Sequence, residues 1–279
     1  MEIKETILKY KKLIIISLMI VLLTSLIMVF TNNSEPEIIE EEIIELIPYK
    51  DYEWKNLKHY KKYSYEDDNY TSMYGIDVAA HQGTINWKKV KEAGVEFAYI
   101  RLGYRGASEG LLNTDLEFEN NYQGAIDNDI KVGIYWYSQP ISKQEAIEEA
   151  QYVLDVLNDR HIDLPIVYDF EETFFYDGTI SRMHGMSKQD RTTMAEAFCG
   201  EIKNHGYEPM IYTNLSWSKT YYDWSRLSDY PIWFAQYGTN YPIYDRPFVM
   251  WQYTDTGTID GIDTYVDFDI LFIYKNDQN

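Results

Sequence analysis

Residues 164–172 read LPIVYDFEE, and this stretch has the composition of a strand that is buried on both faces. Residues 166–168 form an unbroken apolar run that includes β-branched side chains, which favours a strand of a parallel sheet covered on both sides. The run ends in two acidic residues, Asp169 and Glu171. Side chains two positions apart on a strand point to the same side, so we expect both carboxylates to face one pocket.

Similar apolar segments recur on both sides of this stretch, and amphipathic segments separate them. This alternation predicts an α/β fold in which parallel strands are joined by helical crossovers. The predicted strands are Tyr74–Val78, Val95–Arg101, Lys131–Tyr137, Pro165–Glu171, Pro209–Thr213, Ile232–Ala235 and Phe248–Gln252. The predicted helices are Trp87–Ala93, Asp115–Asn128, Lys143–Asn158 and Lys188–Asn204.

Several predicted strands end in a polar or aromatic side chain, and in a barrel these carboxyl ends converge on the face that holds active sites. Asp169 and Glu171 have Cα atoms ~6.6 Å apart on an extended strand. Two carboxylates in one pocket resist double ionisation, so one keeps its proton, and glycoside cleavage uses such a donor beside a carboxylate. The short motif also fits an ordinary acidic strand end, and its spacing leaves the stereochemistry of cleavage open. Glu172 is expected to face the other way in a structural role.

The composition excludes some classes of partner. The chain has 45 acidic and 25 basic residues, a net charge of −20, which argues against nucleic acid and against an electrostatic grip on anionic lipids or wall polymers. Its 27 tyrosines and 7 tryptophans suit sugar rings but also fill cores. One cysteine and five scattered histidines show no metal-ligand spacing, so no metal site is predicted.

The amino-terminal part of the chain has the pattern of a membrane anchor. Residues 13–30 read LIIISLMIVLLTSLIMVF without a charge, and as a helix they would span ~27 Å, close to a bilayer core. Lysines precede this run and glutamates follow it, which places residues 1–12 in the cytoplasm and the rest outside the cell as a single-pass protein. A cleaved signal peptide is the alternative, although the run is long and lacks a small-residue exit.

The remaining chain divides into two parts of different composition. Residues 31–72 combine an acidic-hydrophobic patch with a Tyr-, Lys- and Asp-rich stretch, and we interpret them as an acidic linker or tether. Residues 73–279 carry the alternating strands and helices and form the predicted catalytic domain.

Several ordered motifs resemble the glycoside hydrolase family 25 lysozymes, the Chalaropsis-type muramidases. Residues 75–83, GIDVAAHQG, resemble the opening signature of that family, and the stretch containing Asp169 and Glu171 resembles its catalytic strand. The closing motif resembles Val-Asp-x-Asn, with Asp269 in place of the usual Asn. The resemblance covers about residues 74–272. Further matching segments are residues 85–101, 131–137, 207–213, 231–235 and 251–253.

The resemblance implies an irregular TIM-like β/α barrel that hydrolyses the β-1,4 bond between N-acetylmuramic acid and N-acetylglucosamine in peptidoglycan. By position, Glu171 would be the proton donor, and Asp169 would stabilise positive charge or orient the acetamido group of the substrate. Asp77 and Asp267 would complete an acidic pocket, and no cofactor is implied. Candidates for sugar contacts, each also compatible with core packing or strand-end capping, are Tyr137, Tyr212, Trp233 and Gln252.

Two alternative functions remain at this point. A non-catalytic glycan-binding or scaffolding protein on the same fold would bind peptidoglycan strands without making new reducing ends, and the Asp269 departure and the negative charge keep that hypothesis open. A different polysaccharide hydrolase, such as a chitinase-like enzyme, would carry a longer Asp-rich strand motif, whereas positions 166 and 167 are apolar here.

Overall fold

The computed structural model describes residue 44 and residues 46–173, 175 and 177–275. The predicted cytoplasmic segment 1–12, the anchor 13–30 and the first part of the predicted tether lie outside these residues. Within the described residues, no helix combines the length and apolarity that a membrane crossing requires. The membrane anchor therefore stays a prediction from the sequence.

The described segments alternate between strands and helices, as the sequence predicts. The strands are β1 (Leu57–Tyr60), β2 (Lys62–Tyr65), β3 (Tyr70–Val78), β4 (Phe97–Arg105), β5 (Leu112–Thr114), β6 (Lys131–Ser138), β7 (Ile166–Phe170), β8 (Pro209–Asn214), β9 (Ile232–Ala235), β10 (Met250–Gly257) and β11 (Val266–Tyr274). The helices are α1 (Trp87–Glu92), α2 (Phe118–Ile126), α3 (Lys143–Leu157), α4 (Lys188–Asn204) and α5 (Leu215–Thr220). Helix α2 begins at Phe118, later than predicted, and Asp115 lies in the turn before it, where its carboxylate binds the guanidinium of Arg101 and accepts from the N–H of Glu117.

Eight of these strands close into a barrel in the order β3-β11-β10-β9-β8-β7-β6-β4, and β4 pairs back with β3. The pairings are parallel except those of β11, which runs antiparallel to both β10 and β3. The strands predicted from the sequence are parallel where they pair with each other, and β11, which is not among the predicted strands, is the antiparallel addition. Residues 258–265 alone connect β10 to β11, and a parallel crossover needs a dozen or more residues.

The side chains of the barrel strands alternate between two buried layers. One layer faces the helices and includes Ile76, Trp136 and Tyr168, all fully buried. The other layer fills the barrel interior with residues such as Tyr99 and Met250. Because the interior is packed with side chains, as in other small barrels, the open space for a ligand lies at the end of the barrel.

The amino-terminal boundary of the folded unit lies at Ile44 rather than at residue 73, which corrects the predicted tether. Residues 49–65, here called the amino-terminal aromatic segment, pack on β10 and β11. The ring of Tyr52 stacks on Phe272 with centroids 4.4 Å apart, and its hydroxyl donates to the carbonyl oxygen of Phe248 at 3.1 Å. Tyr52, Tyr63 and Tyr65, which lie in the predicted tether, therefore bury their rings against the barrel.

We expect Tyr52→Ala to lower the free energy of unfolding by about 3 kcal/mol, since it removes a buried ring and leaves a cavity. Urea unfolding of the full-length protein, followed by circular dichroism, measures the change. Tyr60→Ala is the matched control, because the Tyr60 side chain is 83% exposed, and it should change stability by less than about 0.5 kcal/mol. Equal effects of the two substitutions would show that the aromatic segment is not part of the folded unit.

Candidate active site

A cavity of about 170 Å³ opens at the carboxyl ends of the parallel barrel strands. Seven of the eight site residues predicted from the sequence line this cavity, and Tyr137 is the exception. The cavity is lined by Asp77, Tyr135, Asp169, Glu171, Tyr212, Trp233, Tyr237, Gln252 and Asp267.

The antiparallel direction of β11 brings a carboxylate from the start of that strand to this end of the barrel. Asp267 lies directly opposite Asp77 in the pairing of β11 with β3. Burial raises the pKa of Asp77 well above its usual range, and the facing Asp267 raises it further. Burial and the nearby Asp255 raise the pKa of Asp267 to about 6.

The two acidic residues at the end of β7 face the same cavity, as their spacing predicts. Asp169 is 7% exposed, and its Oδ1 atom has no hydrogen-bond partner within the described part of the chain. Burial raises its pKa well above the usual range, Glu171 and Asp77 raise it further, and Arg101 lowers it. Burial, followed by the charge of Asp267, raises the pKa of Glu171 to about 7. Glu171 can therefore carry a proton close to neutral pH.

Hydrogen bonds to the backbone fix the position of Glu171. The side-chain amide of Gln139 donates to the carbonyl oxygen of Glu171 at 2.7 Å, and Thr173 donates its hydroxyl to Gln139 at 3.2 Å. The next carboxylate, Glu172, accepts from the hydroxyl of Tyr221 at 2.5 Å and does not line the cavity. The prediction that Glu172 faces away from the site is thereby confirmed.

Gln252 links three walls of the cavity through its side-chain amide. The hydroxyls of Tyr212 and Tyr237 donate to its Oε1 atom at 3.0 and 2.6 Å. Its Nε2 atom then faces Asp77 and donates to Oδ2 at 2.7 Å. The arrangement fixes the orientation of the amide and leaves the Asp77 carboxylate as an acceptor.

Trp233 and Tyr137, two candidates for sugar contacts, differ in position from the other two. Trp233 is 2% exposed, packs between Tyr99 and Tyr212, and donates its indole N–H to Asp269 at 3.0 Å. It forms the floor of the cavity. The hydroxyl of Tyr137 hydrogen-bonds that of Thr173 at 2.9 Å outside the lining, so strand-end capping describes its contacts.

Three residues of the site are not predicted from the sequence. Tyr135 lies two positions before Tyr137 on β6, and strand alternation is the signal that could have identified it as inward-facing. Tyr237 continues the alternation beyond the end of β9, after Ala235. Gln139 acts through hydrogen bonds between two separate loops, for which the sequence carries no local signal.

The raised pKa of Glu171 predicts a pH dependence of stability. Its pKa rises from the usual 4.5 to about 7, so the native state keeps a proton that the unfolded chain has released. The free energy of unfolding should therefore fall as pH rises through this window. We expect Glu171→Gln to weaken this fall and to stabilise the protein at pH 8, as measured by urea unfolding at pH 5 and pH 8. If the free energy of unfolding depends on pH identically in both proteins, Glu171 does not have the raised pKa that its burial implies.

The comparisons with known proteins identify the family of the chain. The sequence pattern of "Glycosyl hydrolases family 25" matches residues 76–262. The autolytic lysozyme of Clostridium acetobutylicum is 30% identical over 197 residues, which are 71% of this chain and 55% of that relative. Lysozyme M1 of Streptomyces globisporus is 31% identical over 206 residues, 71% of this chain and 67% of the relative. This chain thus spans about half the length of the first relative.

The solved structures show the same barrel. The modular autolysin LytC from Streptococcus pneumoniae, in complex with a synthetic peptidoglycan ligand, aligns with a TM-score of 0.61. The alignment covers 71% of this chain and 46% of that chain at 23% identity, so it shows the fold alone. The family pattern covers most of the barrel, including Asp77, Asp169 and Glu171. By this match and its curated relatives, the chain belongs to the glycosyl hydrolases of family 25.

Proposed function

We propose that this protein is a peptidoglycan hydrolase that cleaves the β-1,4 bond between N-acetylmuramic acid and N-acetylglucosamine. The observation that carries the proposal is the cavity in which Glu171, with a pKa of about 7, faces Asp169, Asp77 and Asp267. Carboxyl groups that share one cavity repel each other when they are ionised, so not all of them are charged at once. A proton donor and carboxylate acceptors therefore coexist near neutral pH.

In the proposed reaction, Glu171 transfers its proton to the oxygen of the scissile glycosidic bond as the bond from that oxygen to the anomeric carbon breaks. Positive charge develops at the anomeric carbon and ring oxygen, and Asp169 stabilises it or orients the acetamido group of the substrate. Water supplies the hydroxyl of the new reducing end, and its remaining proton restores Glu171 to the acid form. Asp77 and Asp267 add negative potential to the same cavity.

The charge of the protein determines how it holds the glycan. With a net charge of −20, it gains no long-range attraction for an anionic wall polymer, so recognition rests on hydrogen bonds and shape. Among the sugar-contact candidates, Tyr212 and Gln252 reach the cavity as parts of one hydrogen-bonded unit. They provide fixed hydroxyl and amide groups next to the carboxylates.

The proposed place of action is the outer face of the cell membrane. The sequence supports this through the uncharged run at residues 13–30, the lysines before it and the glutamates after it. Residues 1–12 would then lie in the cytoplasm, and the catalytic domain would lie outside the cell. Protease accessibility of the barrel in intact cells tests this orientation.

The release of reducing sugars from purified peptidoglycan, compared with chitin oligomers, tests the proposed function. We expect new reducing ends from peptidoglycan in proportion to the amount of protein. Co-sedimentation with peptidoglycan without new reducing ends would favour the scaffolding alternative. Cleavage of chitin oligomers alone would favour a chitinase-like enzyme.

A further inference from the structure

Asp269 is a fully buried carboxyl group directly below the acidic cavity. It lies on the inward face of β11, two residues after Asp267 and opposite Gly75 of β3. Gly75 has no side chain, and the ring of Phe97 fills the space that a Cβ atom there would take. The nearest inward side chain further along β3 is Asp77, on the diagonal that cross-strand neighbours use.

The neighbours of Asp269 do not neutralise a negative charge. The indole N–H of Trp233 donates to its Oδ1 atom at 3.0 Å, and no donor reaches Oδ2 among the described residues. The charged groups that face it are the carboxylates of Asp77 and Asp267. Burial, together with a charge on Asp269, raises the pKa of tyrosines on β3, β4 and β10, namely Tyr74, Tyr99 and Tyr253. Within the described ranges, no lysine or arginine forms an ion pair with it.

The Oδ2 atom of Asp269 has no partner among the described residues, and the carboxyl group of Asp77 is its diagonal neighbour across the β3–β11 pairing. A hydrogen bond between the two carboxyl groups would raise the pKa of Asp269 and lower that of Asp77. Two carboxylates have no proton to share, so this bond requires one of the two groups to be a carboxylic acid. Asp77 accepts from the amide of Gln252, whose orientation the two tyrosine hydroxyls fix. Asp269 is the more deeply buried of the pair, and burial favours the neutral form.

We propose that Asp269 is a positioning residue that acts as a neutral carboxylic acid and donates its hydroxyl hydrogen to the Asp77 carboxylate. The inference rests on the proposed function for its catalytic consequence, because Asp77 lines the cavity. Asp77 is then held from two sides, by Gln252 and by Asp269. Burial, and then the charges of Asp77 and Asp267, raise the pKa of Asp269 well above its usual range, in the same direction.

The proposal distinguishes two substitutions of similar size. Asp269→Asn keeps a donor toward Asp77 and an oxygen for the Trp233 indole, so the substitution preserves both hydrogen bonds. Asp269→Leu removes both. We therefore expect kcat/KM on peptidoglycan to stay within about threefold for Asp269→Asn and to fall by at least about tenfold for Asp269→Leu, as when a buried group loses its partner.

The position of the proton is measured independently of activity, by carbon-13 NMR of the full-length protein labelled at aspartate side-chain carboxyls. The resonance that disappears in Asp269→Asn identifies Asp269. We expect its chemical shift at pH 7 to be that of a protonated carboxylic acid, and a carboxylate shift would overturn the proposal.

The Asp77 resonance tests the positioning role. It should keep its titration midpoint in Asp269→Asn and titrate at higher pH in Asp269→Leu, because the carboxylate loses a donor. An unchanged Asp77 midpoint in a folded Asp269→Leu variant would overturn the role, and the Asp269→Asn spectrum still decides the proton position if that variant does not fold. If the wild-type protein does not cleave peptidoglycan but shows the carboxylic acid resonance of Asp269, the proposed function fails and the proton assignment stands.

Discussion

Replacing Glu171 by Gln is expected to lower kcat on peptidoglycan by about 10²–10⁴-fold, because the amide has no acidic proton to give to the leaving oxygen. The KM should change little, since Gln keeps the size of the side chain and its backbone anchor. That anchor is the hydrogen bond from Gln139 to the carbonyl oxygen of residue 171, which does not depend on the side chain. Steady-state kinetics on solubilised peptidoglycan separate the two parameters.

The neighbouring residue provides the control for this substitution. Glu172→Gln makes the same carboxyl-to-amide change one position along the chain, but Glu172 binds the hydroxyl of Tyr221 outside the cavity. An amide oxygen can accept that hydrogen bond, so the Glu172→Gln enzyme should keep its activity within about threefold, as for other changes outside a site. Equal kcat values for the two variants would remove Glu171 from the mechanism.

Replacing Asp169 by Asn is expected to lower kcat by about 10²–10³-fold, the usual cost of removing one preorganised electrostatic contact with the transition state. The Asp169 carboxylate faces the cavity from the same strand as Glu171, with one oxygen that has no partner within the described residues. An Asn side chain fills the same space but cannot balance positive charge at the anomeric carbon. Kinetics on solubilised peptidoglycan, with folding checked by circular dichroism, measure the loss.

Asp260→Asn is the matched surface control for the Asp169 substitution, because Asp260 is exposed in the loop before β11. It makes the same chemical change away from the cavity and should leave kcat unaltered. If Asp169→Asn behaves like Asp260→Asn, the negative charge of Asp169 does not contribute to the reaction.

The strands and most of the site follow from local sequence patterns. Apolar runs of strand length predict β7 and its neighbours, and side-chain alternation places Asp169 and Glu171 on one face. The direction of β11 depends on the length of the connection after β10, and the alternation of strands and helices does not reveal it. That direction brings Asp267 to face Asp77.

Other features depend on contacts between distant segments. The sequence around Tyr52 has the composition of a polar tether. The ring of Tyr52 is buried because Phe248 and Phe272, distant in the sequence, pack against it in the fold. The role of Gln139 depends on the loop after β7, more than thirty residues away in the chain. Such pairs are set by the closed barrel and not by any local period in the sequence.

The identity of the sugar at the new reducing end tests the proposed function most directly. Purified peptidoglycan is digested with the full-length protein or its Glu171→Gln variant, reduced with borohydride, and analysed by mass spectrometry. We expect fragments ending in reduced N-acetylmuramic acid from the wild-type digest and none from the variant. Fragments ending in reduced N-acetylglucosamine, or intact glycan in the presence of a folded wild-type protein, would contradict the assignment as a muramidase.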